Sequence, residues 1–446
     1  MSTPAPLAFA DEPDPSVAEL IAARPHLSMH AIDGLVLEDT PLAAIAEAIG
    51  TPAWVYGAGT IRRRLATLQA ALAVVRAQVH FAVKANDHLA VLRVLAAGGA
   101  GADVVSGGEL ARARRAGIAP GRIVFSGVGK TAAEIGAALS EGIGQLNVES
   151  AAELDMISAI ATATGQTAPV GLRINPDVDA GTHAKITTGR AENKFGIPYA
   201  DAAALYAHAA GLPGVRPLGL ALHIGSQIVS LAPYRAAYAL AADLVRALRE
   251  AGQVVERMDC GGGLGIGYRD APGLSPEAFA GALRHAFAGL DLQLMVEPGR
   301  WLVGPAGVLL ARVVLVKGAK RLVVLDAAMN DLVRPAMYDA WHGIVPVAAA
   351  RAQAAAAPVD VVGPVCETGD TFARARSLPR LRAGDLVALL DAGAYGAVMS
   401  STYNARPLAP IAMVDGARWA IIRPRQPVAE LWRGESVPDF LESMHR

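Results

Sequence analysis

The sequence predicts an α/β plus β protein, in which a (β/α)8 TIM barrel is followed by a C-terminal β domain. From Val79 to about Leu309, short apolar segments rich in β-formers alternate with longer segments rich in alanine and leucine, and this alternation ends beyond Leu309. Such alternation predicts parallel strands joined by helical crossovers. About eight units of this kind suit a closed barrel better than an open sheet. A chain of 446 residues has room for the barrel and a second domain.

The barrel is predicted over residues 46–309, and its strands share a short apolar pattern. The predicted strands are 79–83, 101–105, 122–126, 145–148, 168–174, 216–223, 255–259 and 292–296. The predicted helices between them include 108–116, 150–164 and 233–251.

A Greek-key-like β domain is predicted for residues 310–446. The apolar runs 313–316 and 322–325 flank a short polar segment, Lys317-Gly-Ala-Lys-Arg321, which is typical of a hairpin. Further strand-like runs lie at 359–363, 386–391 and 419–423.

The residues before the barrel fall into two parts. Residues 26–45 hold a β-like run at 31–37 before a helix predicted near 41–49, and we expect this segment to add a strand to the β domain. Residues 1–25 are expected to form a disordered extension. Their start is rich in proline and lacks a basic segment followed by an apolar one, so no signal peptide is predicted.

Charge and composition restrict the possible partners. The net charge is -1, from 40 Lys and Arg against 41 Asp and Glu, so no basic field favours nucleic acid and a small substrate is expected. No apolar run is long enough to cross a bilayer, so no membrane partner is expected. The two cysteines, Cys260 and Cys366, are too few for a disulfide framework or a structural zinc site, and no metal is expected. The reducing cytoplasm is the expected compartment.

Lys84 directly follows the first predicted strand and is the first candidate for chemistry. An ammonium beside buried apolar residues must be paired, solvated or deprotonated. Burial would lower its pKa and make the free amine a nucleophile that forms imines with carbonyl compounds. The signal is weak by itself, because most lysines at strand ends reach solvent.

Unusual residues also follow the later barrel strands, where barrel enzymes place their catalytic groups. The segments are His223-Ile-Gly-Ser-Gln227 after the sixth strand, Gly261-Gly-Gly-Leu-Gly265 after the seventh and Glu297-Pro-Gly-Arg300 after the eighth. A glycine run lets backbone N–H groups approach a phosphate closely, although it can also be a simple tight turn.

Together these parts describe a receptor for pyridoxal 5′-phosphate. Its aldehyde bonds to a lysine, its phosphate needs N–H donors, its ring needs a stacking partner, and its ring nitrogen needs an acidic partner. Glu297 is the candidate for the last role, as an ionised carboxylate that keeps the ring nitrogen protonated. The alternative is a surface glutamate paired with Arg300.

The chain resembles the fold-type III pyridoxal-phosphate-dependent decarboxylases over nearly its whole length. The motifs that carry the resemblance are 81–86 (FAVKAN), 223–227 (HIGSQ), 261–265 (GGGLG), 297–300 (EPGR), 334–338 (RPAMY), 363–370 (GPVCETGD), 393–395 (GAY) and 403–407 (YNARP). Within that family it is most similar to the carboxy-lyases that convert meso-2,6-diaminopimelate to L-lysine and CO2, the last step of lysine biosynthesis.

The resemblance implies a role for residues of each motif. Lys84 carries the cofactor as an imine, His223 stacks on its ring, Glu297 meets the ring nitrogen, and Tyr395 contacts both cofactor and substrate. The residues implied at the cofactor are Lys84, His223, Ser226, Gly261, Gly262, Gly263, Glu297, Gly299, Arg300 and Tyr395.

The resemblance also implies how the substrate is held. Arg300 and Arg334 bind the carboxylate that is retained, because a guanidinium can hold a carboxylate with two hydrogen bonds, and Tyr338 adds a hydroxyl. Glu367 pairs with the distal ammonium. Without the resemblance, Arg334 and Tyr338 would be interpreted as a solvated surface pair at helical spacing.

Cys366 is the implied proton donor, although a free cysteine is more often a small buried hydrophobic residue. The resemblance places Cys366 and Glu367 in the active site of a partner subunit, so a homodimer with shared sites is expected. The chain departs from the family's common pattern at Thr368, where serine is more usual, and it matches the last motif only in part after Arg406.

Three alternatives stay open from the sequence. Decarboxylases of ornithine, arginine or carboxynorspermidine share the barrel motifs, but the ornithine and arginine enzymes typically carry aspartate where this chain has Glu367, and diamine substrates lack a carboxylate for Arg334. Amino-acid racemases pair the ring nitrogen with arginine instead of Glu297. A non-catalytic pyridoxal-phosphate carrier could consist of a barrel alone, so the C-terminal β domain and its substrate motifs argue against it.

Overall fold

The computed structural model describes residues 13–181, 188–189, 194–318 and 321–442. Its strands are β1 (Leu27–His30), β2 (Gly34–Leu37), β3 (Thr40–Pro41), β4 (Ala53–Gly57), β5 (Gln78–Ala82), β6 (Gly101–Val104), β7 (Ile123–Phe125), β8 (Gln145–Val148), β9 (Ala168–Asn175), β10 (Ile197–Pro198), β11 (Val215–Leu222), β12 (Arg257–Asp259), β13 (Gln293–Val296), β14 (Gly307–Lys317), β15 (Leu322–Leu325), β16 (Ile344–Pro346), β17 (Ala356–Val362), β18 (Thr371–Pro379), β19 (Leu386–Leu389), β20 (Ile411–Asp415) and β21 (Arg418–Arg423). Its helices are α1 (Val17–Ala22), α2 (Leu42–Ile49), α3 (Ala58–Leu72), α4 (Leu89–Ala97), α5 (Gly107–Arg115), α6 (Ala132–Glu141), α7 (Ala151–Ala163), α8 (Ala202–Gly211), α9 (Ala232–Glu250), α10 (Pro276–Phe287), α11 (Arg300–Val303), α12 (Arg334–Tyr338), α13 (Ala349–Ala352) and α14 (Asp439–Glu442).

Eight parallel strands close into the predicted barrel. Their order is β5-β6-β7-β8-β9-β11-β12-β13, and β13 pairs with β5 to complete the ring. The predicted strands are confirmed, with shifts of at most two residues at their ends. Because all strands run in the same direction, every loop that follows a strand lies at one end of the barrel.

A helix from before the first barrel strand completes the outer ring. Helices α4 to α10 follow successive strands, and α3 packs between α10 and α4, where the eighth helix of the ring belongs. Ile61, Leu65, Leu68 and Leu72 of α3 recur at helical spacing and are buried. Within the described part of the chain, no helix has both the length and the apolar character needed to span a membrane.

The β domain is a mixed sheet built around the long strand β14. The sheet runs β18-β17-β15-β14-β4-β20-β21, with β16 and β19 paired beside β14. β14 pairs with β4 and β19 through its first residues and with β15 through its last, which confirms the predicted hairpin. Two pairs, β15–β17 and β4–β20, are parallel, which differs from the antiparallel pairing of a simple Greek key.

The strand that joins the β domain from the N-terminal side is β4, which lies inside the range predicted for the barrel. It pairs with β14 and β20, and its Trp54, Val55 and Tyr56 are fully buried. A strand covered on both faces has a continuous apolar sequence, so its pattern does not show which sheet it enters. The predicted strand at 31–37 instead contributes β2 to a separate sheet with β1 and β3.

Residues 13–25 are ordered, contrary to the predicted disorder, and residues 1–12 lie outside the described residues. Helix α1 begins with a capping box formed by Ser16 and Glu19. Arg24 is buried and donates from Nε to Asp391 Oδ2 of the β domain at 2.9 Å. A six-residue helix is marginal by itself, so tertiary contacts hold this segment and local sequence does not reveal it.

The buried ion pair gives a prediction about stability. Replacing Arg24 by alanine leaves the Asp391 carboxylate buried without its partner, so we expect the free energy of unfolding to fall by about 3–5 kcal/mol. The control is Arg216→Ala, which breaks an ion pair whose side chains are 60% and 46% exposed and should cost at most about 1 kcal/mol. Urea unfolding followed by circular dichroism measures both, and equal midpoints for the two variants would show that the Arg24 pair does not hold the segment.

Candidate active site

The candidate site lies at the end of the barrel where the strands terminate. Lys84 follows β5, Asp103 lies near the end of β6, and His223 follows β11. The glycine segment 261–263 follows β12, and Glu297 follows β13. Closure of the barrel therefore brings together residues that are more than two hundred positions apart in the sequence, as 84 and 297 are.

Lys84 is paired with a carboxylate. Its Nζ lies 3.1 Å from Oδ2 of Asp103, which is fully buried. Burial by itself lowers the pKa of Lys84, but the charges of Asp103, Tyr395 and Glu297 raise it, and the resulting pKa lies above the ordinary lysine value. The prediction of a lowered pKa is therefore wrong for the chain by itself, because burial is opposed by three acidic groups.

Asp103 is a site residue that the sequence predictions missed. Its Oδ1 is buried and has no hydrogen-bond partner among the described residues, so this oxygen can accept a further hydrogen bond. The signal was present in the sequence, since Asp103 interrupts an otherwise apolar predicted strand, 101–105. A carboxylate at such a position must find a partner.

Glu297 is buried next to a second acid, Asp259. The two carboxyl groups are hydrogen-bonded, and Asn147 Nδ2 donates to Asp259 Oδ2 at 3.0 Å. Burial and the charges of Asp103 and Asp259 raise the pKa of Glu297 well above its ordinary value, and Lys84 only partly opposes them. The ionised carboxylate predicted beside a bound cofactor is thus disfavoured in the chain by itself, because Lys84 only partly offsets burial and the two neighbouring acids.

The glycine segment after β12 lies against the backbone of neighbouring strand ends. A Cβ on Gly262 would lie 1.9 Å from the Glu297 carbonyl oxygen, and one on Gly263 would lie 2.3 Å from the Gly225 carbonyl oxygen. Gly263 also has a φ of +91°, in the left-handed region. Only glycine fits this path, which is the backbone arrangement expected of a phosphate-binding loop.

His223 is a neutral imidazole next to that loop. The Gly262 backbone N–H donates to His223 Nδ1 at 3.2 Å. Burial, with smaller effects from Lys84 and Arg173, lowers the His223 pKa well below its ordinary value. A neutral ring in a fixed orientation can present its flat face to an aromatic ligand.

Arg300 is buried at the start of α11, and among the described residues its hydrogen bonds go to neutral groups. Its Nη1 donates to Tyr268 Oη at 2.7 Å, and its Nη2 donates to Ser226 Oγ at 3.1 Å. Its guanidinium carbon lies 4.8 Å from the centre of the Tyr395 ring. The alternative of a surface pair between Glu297 and Arg300 is wrong, because both side chains are buried and no ion pair joins them.

Arg334, from the β domain, approaches the same tyrosine. Its guanidinium carbon lies 4.9 Å from the centre of the Tyr268 ring, and its Nη1 bonds to His342 Nε2 at 2.7 Å. Burial lowers the pKa of Arg334 to about 10, and Arg300 adds to this while Tyr268 opposes it. The alternative of a solvated surface residue is therefore wrong for Arg334. Tyr338 ends the same short helix, α12.

Tyr395 ties the β domain to the turn that carries Lys84. Its backbone N–H donates to the Ala85 carbonyl at 2.8 Å, and Asn86 Nδ2 donates to the Gly393 carbonyl at 3.1 Å. Tyr395 has a φ of +53°, an uncommon conformation for a bulky residue. Gly299 lies beside the same turn, since its Cβ would meet Ala85 Cβ at 2.9 Å.

Cys366 and Glu367 lie on the loop between β17 and β18. Cys366 is an exposed free thiol, and its backbone N–H donates to Asn404 Oδ1 at 3.1 Å. Glu367 is hydrogen-bonded to the exposed Tyr403. Within the described residues, no hydrogen bond or ion pair joins Cys366 or Glu367 to Lys84. Within the described part of one chain, these two residues are therefore not linked to Lys84 by a direct polar contact.

Comparison with known proteins identifies close relatives over most of the chain. Residues 58–304 match the family described as pyridoxal-dependent decarboxylase, pyridoxal binding domain. The chain is 49% identical over 414 residues to a diaminopimelate decarboxylase of Zymomonas mobilis subsp. mobilis. The aligned region covers 91% of this chain and 98% of that protein.

Two solved structures are similar to the whole fold. The diaminopimelate decarboxylase of Helicobacter pylori, complexed with L-lysine, superposes with a TM-score of 0.85 at 38% identity and covers 91% of this chain and 100% of that one. The diaminopimelate decarboxylase of M. jannaschii, in co-complex with L-lysine, superposes with a TM-score of 0.89 at 34% identity over 94% of this chain and 99% of that one.

The pairing of Lys84 with Asp103 gives a prediction about the lysine. In Asp103→Asn the attraction of the carboxylate is lost while burial remains, so we expect the pKa of Lys84 in the cofactor-free protein to fall by about one unit or more. The pH dependence of Lys84 acylation, followed by mass spectrometry, measures this change. Lys130 is the internal control, because it pairs with Glu153 at 2.6 Å instead of Asp103. Identical Lys84 profiles in the two proteins would contradict the assignment.

Proposed function

We propose that this chain, which belongs to the diaminopimelate decarboxylase family of pyridoxal-phosphate-dependent enzymes, converts meso-2,6-diaminopimelate to L-lysine and CO2 as the last step of lysine biosynthesis. One observation carries the choice of substrate. Arg300 and Arg334 are both buried beside Tyr268, and within the described residues neither pairs with an acidic side chain. A substrate with a second carboxylate supplies the missing anion.

The residues of the barrel fit pyridoxal 5′-phosphate. The site offers a lysine amine, a glycine loop that no side chain could replace, a neutral imidazole and an unpaired carboxylate oxygen on Asp103. We assign Lys84 to the covalent link, Ser226 and the glycines at 261–263 to the phosphate, and His223 to the ring face. When bound, the cofactor supplies an electron sink that stabilises negative charge at the substrate's α carbon.

Glu297 is assigned to the ring nitrogen of the cofactor. In the chain by itself, burial and the neighbouring acids raise its pKa well above the ordinary value, and it shares a hydrogen bond with Asp259. A positive charge on a ring nitrogen beside it would favour the ionised carboxylate, which is the state that the sequence predicts for the bound cofactor.

Arg300 and Arg334 orient the substrate by its retained end. Two guanidinium groups around one carboxylate fix its position, so the other end of the diamino acid reaches the side of the site where Lys84 lies. Tyr338 and Tyr395 are proposed to add contacts from the β domain. Gly299 allows close approach at the Lys84 turn.

Cys366 and Glu367 are proposed to act across a homodimer. The Cys366 thiol would donate a proton to the carbon that has lost CO2, and Glu367 would pair with the distal ammonium. Both lie on an exposed loop that makes no polar contact with Lys84 within the described part of one chain. A second copy that places this loop over the barrel would complete each site. Because Cys260 and Cys366 are free thiols, we propose the reducing cytoplasm as its compartment.

The substrate assignment is tested by product analysis. Incubation of the cofactor-loaded protein with meso-2,6-diaminopimelate should give L-lysine and CO2 in equal amounts, whereas ornithine and arginine should be unchanged, because they lack a second carboxylate for Arg334. Mass spectrometry of the products measures this, and Lys84→Ala is the inactive control. Consumption of ornithine, or racemised diaminopimelate without CO2, would favour the alternative decarboxylase or the racemase; no reaction at all would favour a carrier.

The shared site is tested by mixing two inactive variants. Lys84→Ala removes the barrel amine, and Cys366→Ala should slow turnover while cofactor binding persists. A mixed dimer contains one site with neither change if the loop comes from the partner, so random mixing should restore about a quarter of the wild-type rate. The matched control mixes Lys84→Ala with Glu297→Ala; both changes lie in the barrel, so no activity should return. Lack of recovery in the first mixture would place Cys366 in the site of its own chain or outside catalysis.

A further inference from the structure

Tyr268 lies where the two unpaired arginines meet, and the sequence motifs do not include it. It follows β12, three positions after the segment 261–265. Its hydroxyl oxygen accepts from Arg300 Nη1 at 2.7 Å, and the guanidinium carbons of Arg334 and Arg300 lie 4.9 Å and 6.0 Å from the centre of its ring. Tyr268 is thus in contact with both cations.

The Tyr268 hydroxyl keeps a hydrogen to donate. Guanidinium groups are donors only, so neither Arg300 nor Arg334 can accept that hydrogen. Among the described residues no acceptor receives it, since the partners that bond to this hydroxyl oxygen, Arg300 and Arg334, are both donors. A donor beside two cations suits an anion, because a carboxylate has about four lone-pair sites to fill.

The surroundings hold Arg334 without neutralising it. His342 donates from Nδ1 to the Leu390 carbonyl at 2.8 Å, so its Nε2 must accept from Arg334. A carboxylate in the place of His342 would cancel the charge of Arg334, whereas a neutral imidazole only fixes its position. The faces of the Tyr268 ring attract both guanidinium groups and so reduce the repulsion between them.

The N-terminal segment fixes the backbone of the same loop. Arg24 Nη2 donates to the Tyr268 carbonyl at 2.8 Å and to the Arg269 carbonyl at 3.3 Å, while its other donors reach Asp391 and Leu20. The His342 ring lies against the Tyr268 ring edge, with centroids 5.3 Å apart and planes at 79°. The tyrosine is therefore held from both its backbone and its ring, so it offers a preorganised donor.

We propose that Tyr268 is a specificity-determining residue of this site, which spaces Arg300 and Arg334 and donates a third hydrogen bond to the carboxylate that the product retains. This inference rests on the proposed function, because it concerns the retained end of the same substrate. It makes the subsite selective for an α-amino-acid end over a bare amine. L-lysine, which carries that carboxylate, should bind through Tyr268, whereas cadaverine, the diamine without it, should not.

The test uses Tyr268→Phe, which removes the hydroxyl and keeps the ring between the arginines. If a hydrogen bond to a charged group is lost equally from the bound substrate and the transition state, KM rises and kcat is unchanged. We expect KM for meso-2,6-diaminopimelate to rise about tenfold, with kcat within about twofold of wild type. Isothermal titration of the cofactor-free and cofactor-loaded protein should show a similar loss of L-lysine affinity and unchanged affinity for cadaverine.

The matched control is Tyr199→Phe, which removes another partly buried hydroxyl. That hydroxyl donates to the Leu240 carbonyl at 3.2 Å and is not bonded to either arginine. Its KM and lysine affinity should equal those of wild type. Unchanged KM and lysine affinity in Tyr268→Phe, with lysine still produced by wild type, would overturn this inference and leave the proposed function intact. A fall in kcat at constant KM would also overturn it, because Tyr268 would then act at the reacting carbon. Failure of wild type to produce lysine would instead remove the proposed function.

Discussion

Closure of the parallel barrel is the constraint on which the rest of the structure depends. The pairing of β13 with β5 completes the ring and places the residues after β5, β6, β11, β12 and β13 around one opening. Each of these residues is unremarkable in its own segment, whether it is a lysine, an aspartate, a histidine or a glycine. Their chemistry arises because one end of the ring holds them all.

Within that opening, some charged side chains are paired with each other and others have no partner of opposite charge among the described residues. Lys84 and Asp103 pair with each other, and burial beside Asp259 raises the pKa of Glu297 well above its ordinary value. The arginines beside Tyr268 have no acidic partner among the described residues. Since burying an unpaired charge is costly, this arrangement is best satisfied by a ligand that brings its own carboxylate. The electrostatics of the chain therefore support the same substrate that its relatives suggest.

The β domain is connected to the barrel at several points, and these connections fix the positions of its side chains relative to Lys84. The strand β4 from the N-terminal side enters its sheet, Tyr395 bonds to the Lys84 turn, and Arg24 links Asp391 to the loop of Tyr268. These contacts hold the β domain in place, so that its Arg334 lies against Tyr268 of the barrel. Positioning groups on a rigid support is what converts binding into orientation.

The sequence by itself determined the barrel strands, the hairpin of the β domain, and Lys84 and the glycine segment as candidates for the site, because periodicity, turn residues and motif spacing are local properties. Only the tertiary structure decided which sheet β4 enters, why residues 13–25 are ordered, that Asp103 pairs with Lys84, and that Tyr268 lies between Arg300 and Arg334. It also decided the pKa directions, raising that of Lys84 where burial alone predicted a decrease, and raising that of Glu297 well above its ordinary value beside Asp259. These features depend on distances between groups far apart in the chain, and such distances are set by packing, which no local pattern encodes.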